Sequence, residues 1–187
     1  SNQCRARLQE YLDRSRDPSP PVADRALTIR HALFFAGASR VWGGGRAYID
    51  HGPGGRTLAR AWLLTRGQWA DVHALESARP VDDDLDPASI ADGECRRCGT
   101  GIYDVLVGLG AHRGVPAVTF TGPEPLDPAT CTAPVAAYLA RIAEGLAEGH
   151  GLTVDEAVAY LTDRPGVAGQ WTAPALRAAL RGPSAAG

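Results

Sequence analysis

Hydrophobic positions along the chain keep two rhythms, one helical and one strand-like. In the last third, Val135, Tyr138, Leu139, Ile142 and Leu146 recur at i, i+3, i+4, i+7 and i+11, one face of an amphipathic helix that should stop near Gly149 to Gly151. Close to the N-terminus, Cys4, Leu8, Tyr11 and Leu12 fall at i, i+4, i+7 and i+8. That stripe predicts a helix over residues 3–14, with Asn2 as its N-cap. Thr65-Arg66-Gly67-Gln68 and Thr153-Val154-Asp155-Glu156 both have the form of a capping box, so a helix should open at each. The first carries Trp69 and Val72 on its apolar stripe; the second runs to about Leu161 and meets Pro165. A short helix is predicted from Ala173 to Arg181.

The middle of the chain reads as strands. Leu27 to Ala36, Ala47 to Ile49, Leu58 to Leu64, Ile102 to Leu109 and Val115 to Thr121 are β-branched, aromatic or leucine-rich runs. Pro53-Gly54-Gly55 reads as a turn between the second and third, and Ala111-His112-Arg113-Gly114 as a hairpin between the last two. Asp17-Pro-Ser-Pro-Pro21 forbids regular structure, because proline lacks the amide donor and restricts its predecessor. Pro80 to Gly101 is polar, acidic and loop-like. Strands in the middle with helices at the ends predict an α+β domain, its mixed, mostly antiparallel sheet curled toward a barrel with flanking helices. One domain over residues 1–182 and a tail over 183–187 are expected.

Composition narrows the function classes. The 187 residues are 44% hydrophobic and 21% charged, enough for one sizeable core and unlike a disordered chain. A net charge of −2 offers no general attraction for nucleic acid or an anionic membrane. All 19 basic residues are arginine, a bias that weakens arginine number as an argument for phosphate binding. There is no run of about 18 apolar residues to span a bilayer. Cys4, Cys95, Cys98 and Cys131 are too sparse for a disulfide scaffold, so a cytoplasmic location is expected. Met is absent, which predicts further sequence upstream of Ser1.

Glu76 is the leading chemical candidate. It follows Trp69 by seven residues and Val72 by four, so helical spacing turns it toward the core. A carboxyl group desolvated on such a face suits general acid–base work near neutral pH. The alternative is a helix-end ion pair with Arg79. Ser39-Arg40-Val41-Trp42-Gly43-Gly44-Gly45 is the second feature. Three consecutive glycines permit positive φ and close backbone approach, either to present amides to an oxyanion or carboxylate or to make a tight crossover with no ligand. Cys95-Arg96-Arg97-Cys98 is half of a zinc signature and lacks a second pair. None of His31, His51, His73, His112 and His150 has metal-ligand spacing, and His73 reads as a partly exposed neighbour of Glu76.

Four segments in order resemble the γ-glutamylcyclotransferase-like family, and within it an actinobacterial branch. Ser1-Asn2 before a helix is similar to the second half of the family's Tyr-Gly-Ser-Asn motif, so the first strand and the Tyr-Gly pair would lie upstream of Ser1. Trp42 to Ile49 is similar to its Trp-Gly-Gly-Gly-like turn and short strand. Leu64-Thr65 and Ala74-Leu75-Glu76 are similar to the segment that opens and closes the helix bearing its catalytic glutamate. Pro134 to Ile142 with His150-Gly151-Leu152 is similar to its last long helix. The resemblance implies cyclisation of a γ-glutamyl amide or amine to 5-oxoproline with release of an amine or amino acid. It implies Glu76 as general acid/base and Ser1, Asn2, Trp42, Gly43, Gly44 and Gly45 around a small γ-glutamyl substrate. It implies no metal and no organic cofactor. The chain departs from the family pattern at Ser77, where glycine is common, and in the Cys95–Cys98 insertion. The alternative is a non-catalytic small-molecule binding or regulatory domain on the same fold; a zinc-stabilised interaction module using Cys95 and Cys98 is a third.

Overall fold

The computed structural model describes residues 2–81 and 85–181. Among these the order is α1 (Arg5–Leu12), β1 (Ala23–Ala36), β2 (Arg46–Leu63), α2 (Arg66–Glu76), β3 (Cys95–Arg97), β4 (Val105–His112), β5 (Val115–Thr121), α3 (Ala136–His150), α4 (Val154–Thr162) and α5 (Ala173–Arg181). The chain is α+β with two antiparallel sheets: β1 with β2, and β3-β4-β5. The described residues contain no closed barrel; a cleft lies between the sheets. Fully buried Thr121 joins them, bonding both the amide (3.0 Å) and the carbonyl (2.7 Å) of Ile49. No described helix is long and apolar enough to cross a membrane. The expected tail over 183–187 lies outside the described residues.

The predicted turn at Pro53 to Gly55 is instead the interior of a single 18-residue strand, β2. Pro53 pairs opposite His31, with register shifts on either side of that residue. Such irregularities absorb a residue that cannot donate to the ladder. Gly55 lies against Ala32 so closely that a Cβ would strike its backbone. Long-range pairing with β1 therefore overrides the local turn signal. By contrast, the β4–β5 hairpin forms where the turn residues predict it. Arg113 and Gly114 have φ of 50° and 80°, the left-handed pair that matches strand twist in a two-residue loop. Strand β3, within the expected loop, was not foreseen.

Two apolar clusters hold the layers. Leu139, Ile142 and Leu146 of α3, Val158 and Leu161 of α4 and Leu176 of α5 pack on Leu33, Phe35 and Leu58 of the long sheet. Leu8, Tyr11 and Leu12 of α1 pack on Val72 of α2. Helix α1 starts at Cys4 rather than at the expected Asn2 cap.

Helix α2 is fixed at both ends. Thr65 and Gln68 exchange capping-box hydrogen bonds, and the Gln68 amide also donates to the Ser19 carbonyl at 2.8 Å. The buried Asp71 carboxylate accepts from the Arg16 backbone amide at 2.7 Å and pairs with its guanidinium at 2.8 Å. These contacts clamp the proline-rich loop onto the helix, and the paired partner keeps the buried charge tolerable. At the C-terminus Arg79 N reaches Ala74 O at 2.8 Å and Ala78 N reaches Leu75 O at 3.2 Å. This is a Schellman closure with alanine, at φ 55°, where glycine is usual. A left-handed alanine carries strain of roughly 1–2 kcal/mol, partly offset in a glycine variant by unfolded-chain entropy. Ala78→Gly should therefore raise stability by roughly 0.5–1 kcal/mol in denaturant unfolding at unchanged m-value. A loss of stability would show that Ala78 makes contacts this account omits.

Candidate active site

The cleft between the sheets has a volume of about 1220 Å³. Its walls come from β1, β2, β5, α2 and the loop before β4, and its lining includes Asn2, Glu76, Tyr48, Tyr103, Phe120 and Tyr138. Glu76 is the last residue of α2 and is half-buried. Its Oε1 accepts a hydrogen bond from Asn2 Nδ2 at 2.7 Å. Asn2 is held in turn by β2: its carbonyl accepts from Trp62 Nε1 at 2.9 Å. The next residue is tied to the same strand, with Gln3 Nε2 on the Leu58 carbonyl and Arg60 Nη1 on the Gln3 carbonyl, both at 3.0 Å. The N-terminal segment is thus a brace between β2 and the catalytic candidate.

Three phenols lie close enough to that carboxylate to feel its charge. Burial first, then the Glu76 charge, push Tyr11 well up from its ordinary value. Burial, then neighbouring Tyr138 and the Glu76 charge, do the same to half-buried Tyr103. Burial pushes Tyr138 up to about 12. All three hydroxyls therefore stay protonated at neutral pH, because an ionised phenolate would be both desolvated and repelled. The rings of Tyr48 and Tyr103 lie 5.2 Å apart and those of Tyr103 and Phe120 5.9 Å apart, giving an apolar wall with polar tips.

The structure brings Glu76 and Asn2 together; Ser1 lies outside the described residues. It does not bring Gly43, Gly44 and Gly45 to the cleft wall. Gly43 N donates to Ser39 O at 3.0 Å and Gly45 N to Ala133 O at 2.9 Å. A Cβ on Gly44 or Gly45 would run into the carbonyl of Ala133 or Thr132. Close approach by the segment before α3 therefore accounts for these glycines. Trp42 packs on Tyr138, with ring centroids 5.5 Å apart, one layer behind the cleft.

His73 is fully buried rather than partly exposed. It lies between Trp69 and Phe120, with centroids at 5.7 and 5.2 Å. Arg79, the alternative partner of Glu76, places its guanidinium against His73 Nδ1 at 3.0 Å. Cys95 and Cys98 diverge. Cys95 is exposed and donates to the His51 carbonyl at 3.0 Å, whereas half-buried Cys98 lies near His73; no disulfide joins any of the four cysteines. Tyr103, the residue that sequence reasoning missed, sits in a glycine-containing loop with no periodicity to reveal it.

No family model, no curated protein and no solved structure matches this chain, so the reading of the site rests on its geometry.

The Asn2–Glu76 bond joins a neutral donor to a half-buried carboxylate, for which roughly 1.5–3 kcal/mol is expected. A double-mutant cycle with Asn2→Ala and Glu76→Ala should return a coupling of that size; zero coupling would show that the brace is not formed. Gly45→Ala should lower stability by roughly 1–3 kcal/mol through overpacking against Thr132. Unchanged stability with lost ligand binding would instead assign the glycine turn to the site.

Proposed function

We propose that this chain cyclises a γ-glutamyl amide or amine to 5-oxoproline, releasing an amine or amino acid, with Glu76 as general acid/base. The observation that carries this reading is a braced carboxylate lining a cleft, near three protonated phenols. We read the two sheets as the halves of a γ-glutamylcyclotransferase-like curled barrel, and the substrate as a small cytoplasmic molecule.

In this chemistry the substrate's α-amine attacks its own side-chain amide carbon, closing a five-membered ring. The attack is intramolecular, so most of the barrier is removed by holding amine and carbonyl in line. Glu76 takes a proton from the attacking nitrogen. The carbon–nitrogen bond to the leaving group then breaks, and the same proton goes to the departing nitrogen. Tyr103 and Tyr138 supply protonated hydroxyls where the carbonyl oxygen gains negative charge. The backbone amides of Ser1 and Asn2 are assigned to the substrate carboxylate. The step needs no metal or organic cofactor.

One observation favours a second reading, a binding domain without turnover. An aromatic wall beside a carboxylate also retains a cationic amine by itself.

A panel of γ-glutamyl amides and amines, assayed for 5-oxoproline, separates the two. Wild type should release it, and Glu76→Gln should be slower by about 10²–10⁴-fold, the usual worth of a positioned acid–base group. Equal release from both proteins would overturn the catalytic reading; saturable binding without release would establish the second.

A further inference from the structure

We propose that His73, Cys98 and Asp104 form a site for one zinc-type divalent cation, behind the Tyr103 wall of the cleft. The inference is independent of the cyclisation chemistry. Cys98 Sγ lies 3.9 Å from His73 Nε2, and Asp104 Oδ1 lies 3.8 Å from the same nitrogen. One donor atom from each residue falls within 4.8 Å of the other two. Tetrahedral zinc, bound at about 2.0–2.3 Å, sets donor separations of roughly 3.3–3.7 Å. A shift of a few tenths of an ångström closes the difference.

The independent sign of a ligand is Asp104. Its side chain is 1% exposed, and Oδ1 has no hydrogen-bond partner. Arg79 Nε is the nearest cation to it, at 3.7 Å, too far to satisfy it. A buried carboxylate oxygen left in that state is costly. The loop is built around this carboxylate. Cys98 N bonds the Asp104 carbonyl at 2.8 Å, Gly101 N donates to Oδ2, and a Cβ on Gly99 or Gly101 would collide with the carboxylate.

The geometry separates a metal site from a nucleophilic relay. In a relay the thiol and the carboxylate occupy opposite ring nitrogens. Here both face Nε2, while Nδ1 faces Arg79. A thiolate, an imidazole and a carboxylate suit zinc, with a fourth position left for water.

Without metal, neutral His73 accepts from Arg79 at Nδ1 and donates from Nε2 to the Tyr103 carbonyl at 3.0 Å. Metal binding displaces the Cys98 thiol proton to solvent and moves the His73 proton from Nε2 to Nδ1. The Tyr103 bond is then lost. Arg79, 29% exposed, swings outward to avoid facing a donor with a donor. The ion holds the loop that carries Tyr103, so its role is structural.

The full chain, stripped with a chelator, is titrated with Co²⁺ and Zn²⁺. One ion should bind per chain, Co²⁺ giving a thiolate charge-transfer band. Cys98→Ser should abolish the band and weaken Zn²⁺ binding tenfold or more, whereas Cys95→Ser should retain both. In wild type, ¹⁵N NMR of His73 should report the tautomer switch, which needs no variant to fold. Folded wild type with no saturable binding, a band that survives Cys98→Ser or is lost in Cys95→Ser, or an unchanged His73 tautomer would overturn the site.

Discussion

A carboxylate beside a cleft needs a partner from within the protein, and here that partner is the Asn2 side-chain amide. The 2.7 Å bond to Glu76 Oε1 closes a ring of contacts running from the N-terminal segment to β2 and from β2 into α2. Each member of the ring is fixed for its own reason. Asn2 is held by the Trp62 indole, and α2 by a capping box at one end and a Schellman closure at the other. The loop before β1 is held by Arg16 on Asp71. Removing any of these would leave the carboxylate in place covalently but without a defined direction, and direction is what an intramolecular reaction requires.

Burial of the neighbouring aromatics complements that arrangement. A negative Glu76 and a dry environment act in the same sense on Tyr11 and Tyr103, holding each phenol in its neutral form. The cleft lining therefore sets a carboxylate among neutral phenols. Behind that lining, the Tyr103 carbonyl meets His73 Nε2 at 3.0 Å, beside Cys98 and Asp104.

Much of this was legible locally. Both capping boxes formed, the α3 stripe predicted its core residues, and Arg113-Gly114 turned the hairpin, because each depends on neighbours within a few positions. Glu76 was legible because a charge on an apolar helical stripe stands out. What failed was non-local. Pro53-Gly54-Gly55 has every local mark of a turn, yet pairing with β1 carries the strand straight through. The three glycines after Trp42 could serve an anion or a close crossover equally well, since both uses exploit the missing Cβ; only the position of the Thr132 and Ala133 carbonyls distinguishes them. His73 read as a surface neighbour because its partners, Tyr103, Asp104 and Phe120, come from segments some thirty or more residues away. In place of the expected sheet curled toward a barrel, the described residues form two antiparallel sheets flanking a cleft, with no closed barrel.

The account turns on whether the glutamyl head group sits against the braced carboxylate. Titrating 5-oxoproline into isotope-labelled protein and mapping the shifted NMR resonances tests this most directly. Saturable shifts centred on the Asn2 side-chain amide, the Glu76 carboxyl carbon and the Tyr103 and Tyr138 rings are predicted. Saturable shifts centred on Trp42 to Gly45 with the Glu76 carboxyl carbon unmoved, or no binding at any concentration, would contradict it.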